Sequence, residues 1–372
     1  MISFRPIGRT SAVTGGEREL KPGYTGAELR VRVFFHDKCF DGTASAALFS
    51  RFYSERIRDN VEFEYCGLLH RAGSLFNEAD FTGDENAIVD FKYSPSPKIT
   101  WWFDHHQSAF LTPEDHEHFL TNQSNKKFYD PDFKSCTKFL ATVAENRFGF
   151  NPAPVSELIE WADIVDGAQY KDAKTAVEMK EPAMKLTMVI ESTQDKDFTP
   201  NLIPLLAYKS LSEIIEHPLV APLVPLLMER HQRSVDIMKQ RSECKLGTIF
   251  FDVMDYDLEG YNKFVPYYLH PDSTYSVGLS KSSFRTKVSV GSNPWTRMRH
   301  GDMVNLAVIC ERYGGGGHAR VGAISFDPNQ EVQAREAARE IVEELRESVA
   351  RVESAVGGEE ARTPWPINKR QQ

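Results

Sequence analysis

The 372 residues hold 44 Lys and Arg against 53 Asp and Glu, a formal net charge of −9, and 41% of them are apolar. A chain of that length exceeds the usual single core, so two domains are expected, and its acid excess excludes a nonspecific nucleic-acid coat, which needs clustered Lys and Arg. Apolar runs fall far short of the roughly 20 residues of a membrane helix. Residues 1–25, with Arg5, Arg9 and Arg18 but no continuous apolar stretch, do not read as a secretory signal, so a cytoplasmic location is expected. Five scattered cysteines without a Cys-x-x-Cys pair exclude both a disulfide framework and a structural zinc.

In chain order, residues 29–35 alternate basic and apolar side chains and predict a first strand ending at His36. Ala44, Ala47, Leu48 and Phe52 then fall at helical spacing, which predicts a helix over 43–53 and puts Asp41-Gly42 on the strand-to-helix turn. Further strands are predicted at 61–65, at 86–91 with Asp90 near its end, and at 99–103 running into Asp104-His105-His106. In open parallel sheets ligands bind beyond the carboxyl ends of the strands, where these polar residues collect. Helices are predicted over 136–148 and 155–164, and the helical pattern continues through 170–191 and 204–240, broken by Pro218, Pro222 and Pro225. Leu205, Leu206, Leu211, Ile214 and Ile215 in that stretch read as ordinary core, although the region leaves pairing with a second copy open. Strand-like sequence follows at 248–252, 265–269, 275–281 and 286–291, then a glycine run, then a charged helix over 331–356. The fold class is α/β.

Asp and His supply oxygen and nitrogen ligands, a set suited to Mn²⁺, Mg²⁺ or Fe²⁺, and two such ions sharing a carboxylate activate water against a phosphoryl group. Asp90 and Asp104 compete for the shared position. His105 and His106 are adjacent in extended chain and point apart, so one is placed to bind metal and the other to face substrate. The amides after His36 and Asp41 suit an anion. Gly314-Gly315-Gly316-Gly317-His318 offers freely approachable backbone but is no Walker loop, because no Gly-Lys-Ser/Thr follows. From Lys281 to Arg320 there are seven Lys or Arg against two acids, Asp302 and Glu311, and Arg285 there is suited to bidentate phosphate contact.

With these motifs in place the chain resembles the DHH phosphoesterase superfamily, named for the triplet standing here as Asp104-His105-His106. The glycine run with His318 is similar to the signature of that family's associated carboxyl-terminal domain. The resemblance spans about residues 30–325. It implies a parallel-sheet DHH catalytic domain, a helical linker and a smaller α/β substrate-binding domain, with boundaries at 26–170, 171–243 and 244–356, a flexible amino terminus over 1–25 and a disordered tail over 357–372. It further implies His36, Asp41, Asp90, His105 and Asp166 as ligands of two Mn²⁺ ions, with Mg²⁺ as the other candidate, Asp90 bridging, and Asp163 the fallback for Asp166. His106, with Asp90, would be catalytic, and His106, Arg285, Gly315, Gly316, Gly317 and His318 would hold the substrate phosphate or terminus. The implied activity is hydrolysis, by a metal-bound hydroxide, of a phosphodiester or phosphoanhydride in a short nucleotide, oligonucleotide, cyclic dinucleotide or polyphosphate.

One departure stands out. Many members carry two aspartates in the first motif, whereas Cys39 stands two residues before Asp41 here and the nearest other acid is Asp37. A noncatalytic nucleotide or oligonucleotide sensor with a degraded first metal site is therefore the main alternative. A RecJ-type single-strand exonuclease is the other, weakened by the acidic chain and by the lack of an obvious extra nucleic-acid-binding barrel.

Overall fold

The computed structural model describes residues 28–70, 75–256, 258 and 260–360; the expected flexible segment at 1–25 and residues 361–372 of the expected tail lie outside them. Strands β1 (Leu29–His36), β2 (Val61–Leu68), β3 (Glu85–Val89), β4 (Ile99–Asp104) and β5 (Lys127–Tyr129) form an all-parallel sheet in the order β2-β1-β3-β4-β5. Both faces of this sheet are covered, and the buried stretches of its central strands, 33–35, 87–89 and 101–103, are apolar. Val31, Val33, Phe35, Ala87, Val89, Trp101 and Phe103 point into one core, and Phe34, Ile88 and Trp102 into the other. The two buried indoles keep partners for their N–H groups: Trp101 donates to Glu85 Oε2 at 2.7 Å and Trp102 to the Phe91 carbonyl at 2.9 Å.

Helix α1 (Phe40–Phe52) returns from β1 and is buried along almost its whole length. Helix α2 (Pro113–Thr121) leaves no mark in the apolar pattern because none of its residues is buried; a capping box between Thr112 and Asp115, with Pro113 in the first turn, starts it. Helix α3 (Cys136–Phe148) starts on a Ser135 cap and ends on Gly149 at φ 64°, the left-handed position that glycine fills without strain. Helix α4 (Ser156–Asp166) packs against α1 and α3.

The middle of the chain is helical: α5 (Ala173–Val177), α6 (Pro182–Ser192), α7 (Phe198–Leu206), α8 (Leu211–Glu216) and α9 (Val224–Arg241). Pro225 lies in the first turn of α9, where a missing N–H costs nothing. Leu206, Leu211 and Ile214 are fully buried in the first core, with Leu205 and Ile215 packed against it.

The second sheet is mixed, in the order β10-β11-β9-β8-β7-β6, from β6 (Ser242–Lys245), β7 (Thr248–Asp252), β8 (Tyr275–Lys281), β9 (Thr286–Ser292), β10 (Gly316–His318) and β11 (Val321–Phe326). Only β7 and β8 run parallel in it. The strand expected at 265–269 is a helix, α10 (Val265–Leu269): Pro266 cannot donate to a ladder, and its fixed φ suits a first helical turn. Short α11 (Leu306–Glu311) leads into the glycine run. Helix α12 (Glu331–Glu360) lays Ala334, Ala338, Ile341, Leu345 and Val349 across the sheet at helical spacing. It continues four residues past the expected end at 356, so 357–360 are helical rather than disordered tail. A third cluster, with Tyr170, Met184, Met238, Phe251 and Phe264, joins the middle helices to the second sheet. No helix among the described residues is long and apolar enough to cross a membrane.

Candidate active site

Strand and helix ends converge at the carboxyl edge of the parallel sheet. β1 ends at His36, β3 passes directly into Asp90, β4 ends at Asp104 before His105 and His106, and α4 ends at Asp166. β1 and β3 are neighbours, with β2 on one side and β4 on the other, so their shared end is the switch point at which such sheets bind ligands. Phe35 pairs with Val89, which brings His36 and Asp90 level one residue later.

Asp90 sits at φ 55°, a left-handed conformation that Asp tolerates better than most residues, and its amide donates to the Phe103 carbonyl at 2.9 Å. The side chain is only 1% exposed, and neither carboxylate oxygen has a hydrogen-bond partner among the described residues. Oδ2 lies 3.4 Å from His36 Nδ1, and Oδ1 lies 3.5 Å from His105 Nε2 and 3.8 Å from His106 Nδ1. His105 Nε2 also lies 3.5 Å from Asp166 Oδ2 and 3.7 Å from Asp41 Oδ2. The other ring nitrogen of His105 meets the Phe133 carbonyl at 3.1 Å. A carbonyl only accepts, so Nδ1 donates and Nε2 is the nitrogen turned to the carboxylates.

Asp41 is fixed from the far side. Its Oδ2 accepts from the Cys136 amide at 2.7 Å, and its Oδ1 accepts from the Thr137 amide at 3.0 Å and hydroxyl at 2.6 Å. These amides open α3, so a helix amino terminus steadies the carboxylate. Gly42 is required here, since a Cβ on it would stand 2.2 Å from the His36 carbonyl oxygen.

The competition between Asp90 and Asp104 is separated by geometry. Asp104 Oδ1 accepts from His106 Nδ1 at 2.7 Å and from the amides of His105 at 2.9 Å and His106 at 3.3 Å, so it orients the histidine pair. Asp163 accepts from the Ser135 hydroxyl at 3.1 Å, whereas Asp166 reaches the cluster. Asp37 accepts from the Lys38 amide at 2.8 Å and packs over Gly67, while Cys39 has its sulfur beside His36 and Asp90.

Three overlapping donor groups result, each with ligand atoms within 4.8 Å of one another: His36, Cys39 and Asp90; Asp90, His105 and His106; and Asp41, His105 and Asp166. Buried oxygens left unpaired cost about 1–3 kcal/mol each. Both oxygens of Asp90, with the inward nitrogens of His36 and His105, are unpaired in this way. The donors therefore fit a divalent cation, and Asp90 belongs to two of the three groups.

Charge in the cluster agrees. Burial opposes the ionised form of Asp90, but the imidazoles of His105 and His36 outweigh it and hold the carboxyl well below the ordinary range. Burial lowers His105, yet Asp90, Asp41 and Asp166 raise it to about 10. Burial and the charge of Asp90 push Asp166 up to about 6 and raise Asp41 well above its usual value. For His106, burial is outweighed by Asp104 and Asp90, and its pKa is raised.

Arg285, Gly316, Gly317 and His318 line a cavity of about 1000 Å³, with Lys281, Lys287 and Arg320 on the same wall. Gly167, Ala168 and Gln169, directly after Asp166, line it too, as do the rings of Tyr261, Phe264 and Tyr267, the last two buried. Gly315 also serves packing: a Cβ there would stand 2.3 Å from the Ala323 carbonyl oxygen, so the missing side chain lets the chain lie close on β11. Three groups carry no sequence signal: the Phe133 carbonyl, the amides of Cys136 and Thr137, and His70. The His70 ring lies 4.9 Å from that of His36 and stacks on Phe91 at 4.7 Å.

No protein-family model and no curated protein matches the sequence. Among solved structures the chain is similar to a pGpG-specific phosphodiesterase, PggH, from Vibrio cholerae, at 17% identity and a TM-score of 0.61, over 85% of this chain and 99% of that one. An exopolyphosphatase-related protein from Bacteroides fragilis follows at 13% identity and a TM-score of 0.48, over 87% and 94% of the two chains. RecJ with Mn²⁺ from Thermus thermophilus follows at 13% and 0.46, over 87% and 52%. The first likeness shows a shared two-domain fold, a parallel-sheet α/β domain followed by a mixed-sheet domain, and it agrees with the DHH resemblance carried by the motifs.

Proposed function

We propose that this chain is a metal-dependent phosphoesterase that hydrolyses a phosphodiester or phosphoanhydride in a short nucleotide substrate. The observation that carries this is Asp90, buried with both oxygens unpaired at the meeting point of two donor groups, beside a basic cavity. His36, Asp41, Asp90, His105 and Asp166 would hold the ions, Mn²⁺ before Mg²⁺. When bound, such ions supply Lewis acidity and a nucleophile at neutral pH.

The chain's own groups do the rest. Asp104 fixes the ring of His106 through Nδ1, so Nε2 is the atom left to donate, either to a phosphate oxygen or to the departing oxygen. Burial disfavours the protonated ring, but Asp104 and Asp90 outweigh it and favour the form that can donate. Asp41 and His105 stay in place during turnover because backbone groups hold them. Arg285 and His318 pair with a phosphate beyond the scissile one, and Tyr261, partly exposed in the cavity wall, gives a base a surface to stack on. Aromatic surface beside cations favours a dinucleotide or the end of a short strand over bare polyphosphate. The volume, at the upper end for small-molecule sites, suits a ligand the size of the pGpG named for the Vibrio protein.

The test is monophosphate release from a panel of linear and cyclic dinucleotides, short RNA and DNA oligomers, phosphoadenosine phosphate and polyphosphate, with Mn²⁺ and with a chelator. Chelator-sensitive turnover of linear dinucleotides or short oligomers is expected. Silence across the panel, with tight nucleotide binding unaltered by Mn²⁺, would instead establish a sensor.

A further inference from the structure

Within the donor cluster the two cation positions differ in chemistry. Asp41, His105 and Asp166, with Asp90, offer only oxygen and nitrogen. His36 and Asp90 are joined by sulfur: Cys39 Sγ lies within 4.8 Å of the ligand atoms of both. The nearest acid other than Asp41 does not take the place of sulfur, since Asp37 accepts from the Lys38 amide and packs over Gly67. Asp90 Oδ2 and His36 Nδ1, 3.4 Å apart, are both buried and unpaired, so two hard or borderline donors aim at the space beside the thiol. Cys39 itself is held in place as the residue preceding α1, with its carbonyl accepting from the amide and hydroxyl of Thr43 at 3.1 and 2.8 Å.

We propose that His36, Cys39 and Asp90 form a mixed nitrogen, sulfur and oxygen position that takes a thiophilic divalent cation, of the Zn²⁺, Fe²⁺ or Co²⁺ class, in preference to Mn²⁺ or Mg²⁺. The neighbouring position keeps the harder ion, so the centre is built for two unlike metals. Thiolate selects the softer members of the divalent series, while an all-oxygen and imidazole set accepts Mn²⁺ or Mg²⁺. The proposal rests on the metal-dependent reading above and adds to it which metal goes where.

Co²⁺ titration of the full chain, followed by absorption, separates the two. Wild type is expected to show a thiolate-to-cobalt charge-transfer band in the near ultraviolet together with visible ligand-field bands. Cys39→Ser should lose the first and keep the second, and its Zn²⁺ affinity should fall at least about tenfold, the lower end of what losing even an outer partner costs. Cys136→Ser, which alters the other buried thiol near Asp41, should keep the charge-transfer band. Cys39→Asp should shift preference from Zn²⁺ toward Mn²⁺ by a similar factor, which a folding defect would not do. Cobalt bound without a charge-transfer band in wild type, or a band that survives Cys39→Ser, overturns the role of Cys39 and leaves the phosphoesterase reading intact. Failure to bind any cobalt overturns both.

Discussion

The cluster at the end of the parallel sheet and the cavity on the mixed sheet are built by different means. In the cluster, the side chains leave rigid strand and helix ends, and backbone groups hold two of them, Asp41 through the opening of α3 and His105 through the Phe133 carbonyl. Asp90 and Asp104 are buried to within 1% of completely. In the cavity, cations from β8, β9 and the β10–β11 turn face a large space. The first arrangement suits chemistry, which needs fixed geometry, and the second suits binding, which tolerates adjustment.

If that division holds, the largest effects come from the cluster. Asp90→Asn keeps the shape but removes the charge, and kcat is expected to fall on the order of a thousandfold or more; steady-state kinetics at saturating Mn²⁺ check it. His106→Ala should lower kcat about a hundredfold, the size of a lost general acid, with metal content unchanged by elemental analysis. A loss of metal in that variant would make His106 a ligand rather than a donor. Arg285→Ala should act differently, raising KM about 10- to 100-fold through a lost charged hydrogen bond while kcat moves little. An equal fall in kcat would erase the distinction between the regions.

The split also explains what the sequence could show. β1 was legible from its alternation of basic and apolar residues, β3 and β4 because burial on both faces makes them short apolar runs, and the polar ends of all three mark the sheet edge. β5, β6, β10 and β11 are short or partly exposed, and α2 buries nothing, so no periodic signal marks them. Val265–Leu269 reads as a strand by composition until Pro266 is placed in a first helical turn. For the site, the residue types at strand ends were readable and their assignment to roles came from the DHH resemblance. What sets Asp163 apart from Asp166 is the Ser135 hydroxyl, 28 residues away in the chain, and what sets Asp104 apart from Asp90 is a local turn that folds the next two amides and the His106 ring back onto its carboxylate; neither is written in residue type. Backbone donors carry no residue identity, so the amides gripping Asp41 could not be foreseen.

Two smaller effects sharpen the comparison. His105 holds its proton up to about 10 without metal, and a cation needs that nitrogen bare. Proton and cation compete, so Mn²⁺ affinity should rise with pH, by up to about tenfold per unit above pH ~6, and more steeply below it where Asp166, raised to about 6, also protonates. Calorimetry in two buffers of different ionisation heat would detect the released proton. Gly315→Ala should lower Tm by about a few degrees through its clash with the Ala323 carbonyl, whereas Gly316→Ala, which meets nothing within 4 Å, should leave Tm alone. Thermal melts of the pair check whether the glycine run serves packing at one residue and the cavity at the next.

Equilibrium dialysis against Co²⁺, which both positions are expected to take, comparing wild type with Asp90→Asn, decides whether Asp90 joins them. Two ions per chain at saturation in wild type, falling to one or none in the variant, are expected if the two donor groups meet at Asp90. Equal stoichiometry in both proteins, or none in either, would contradict it.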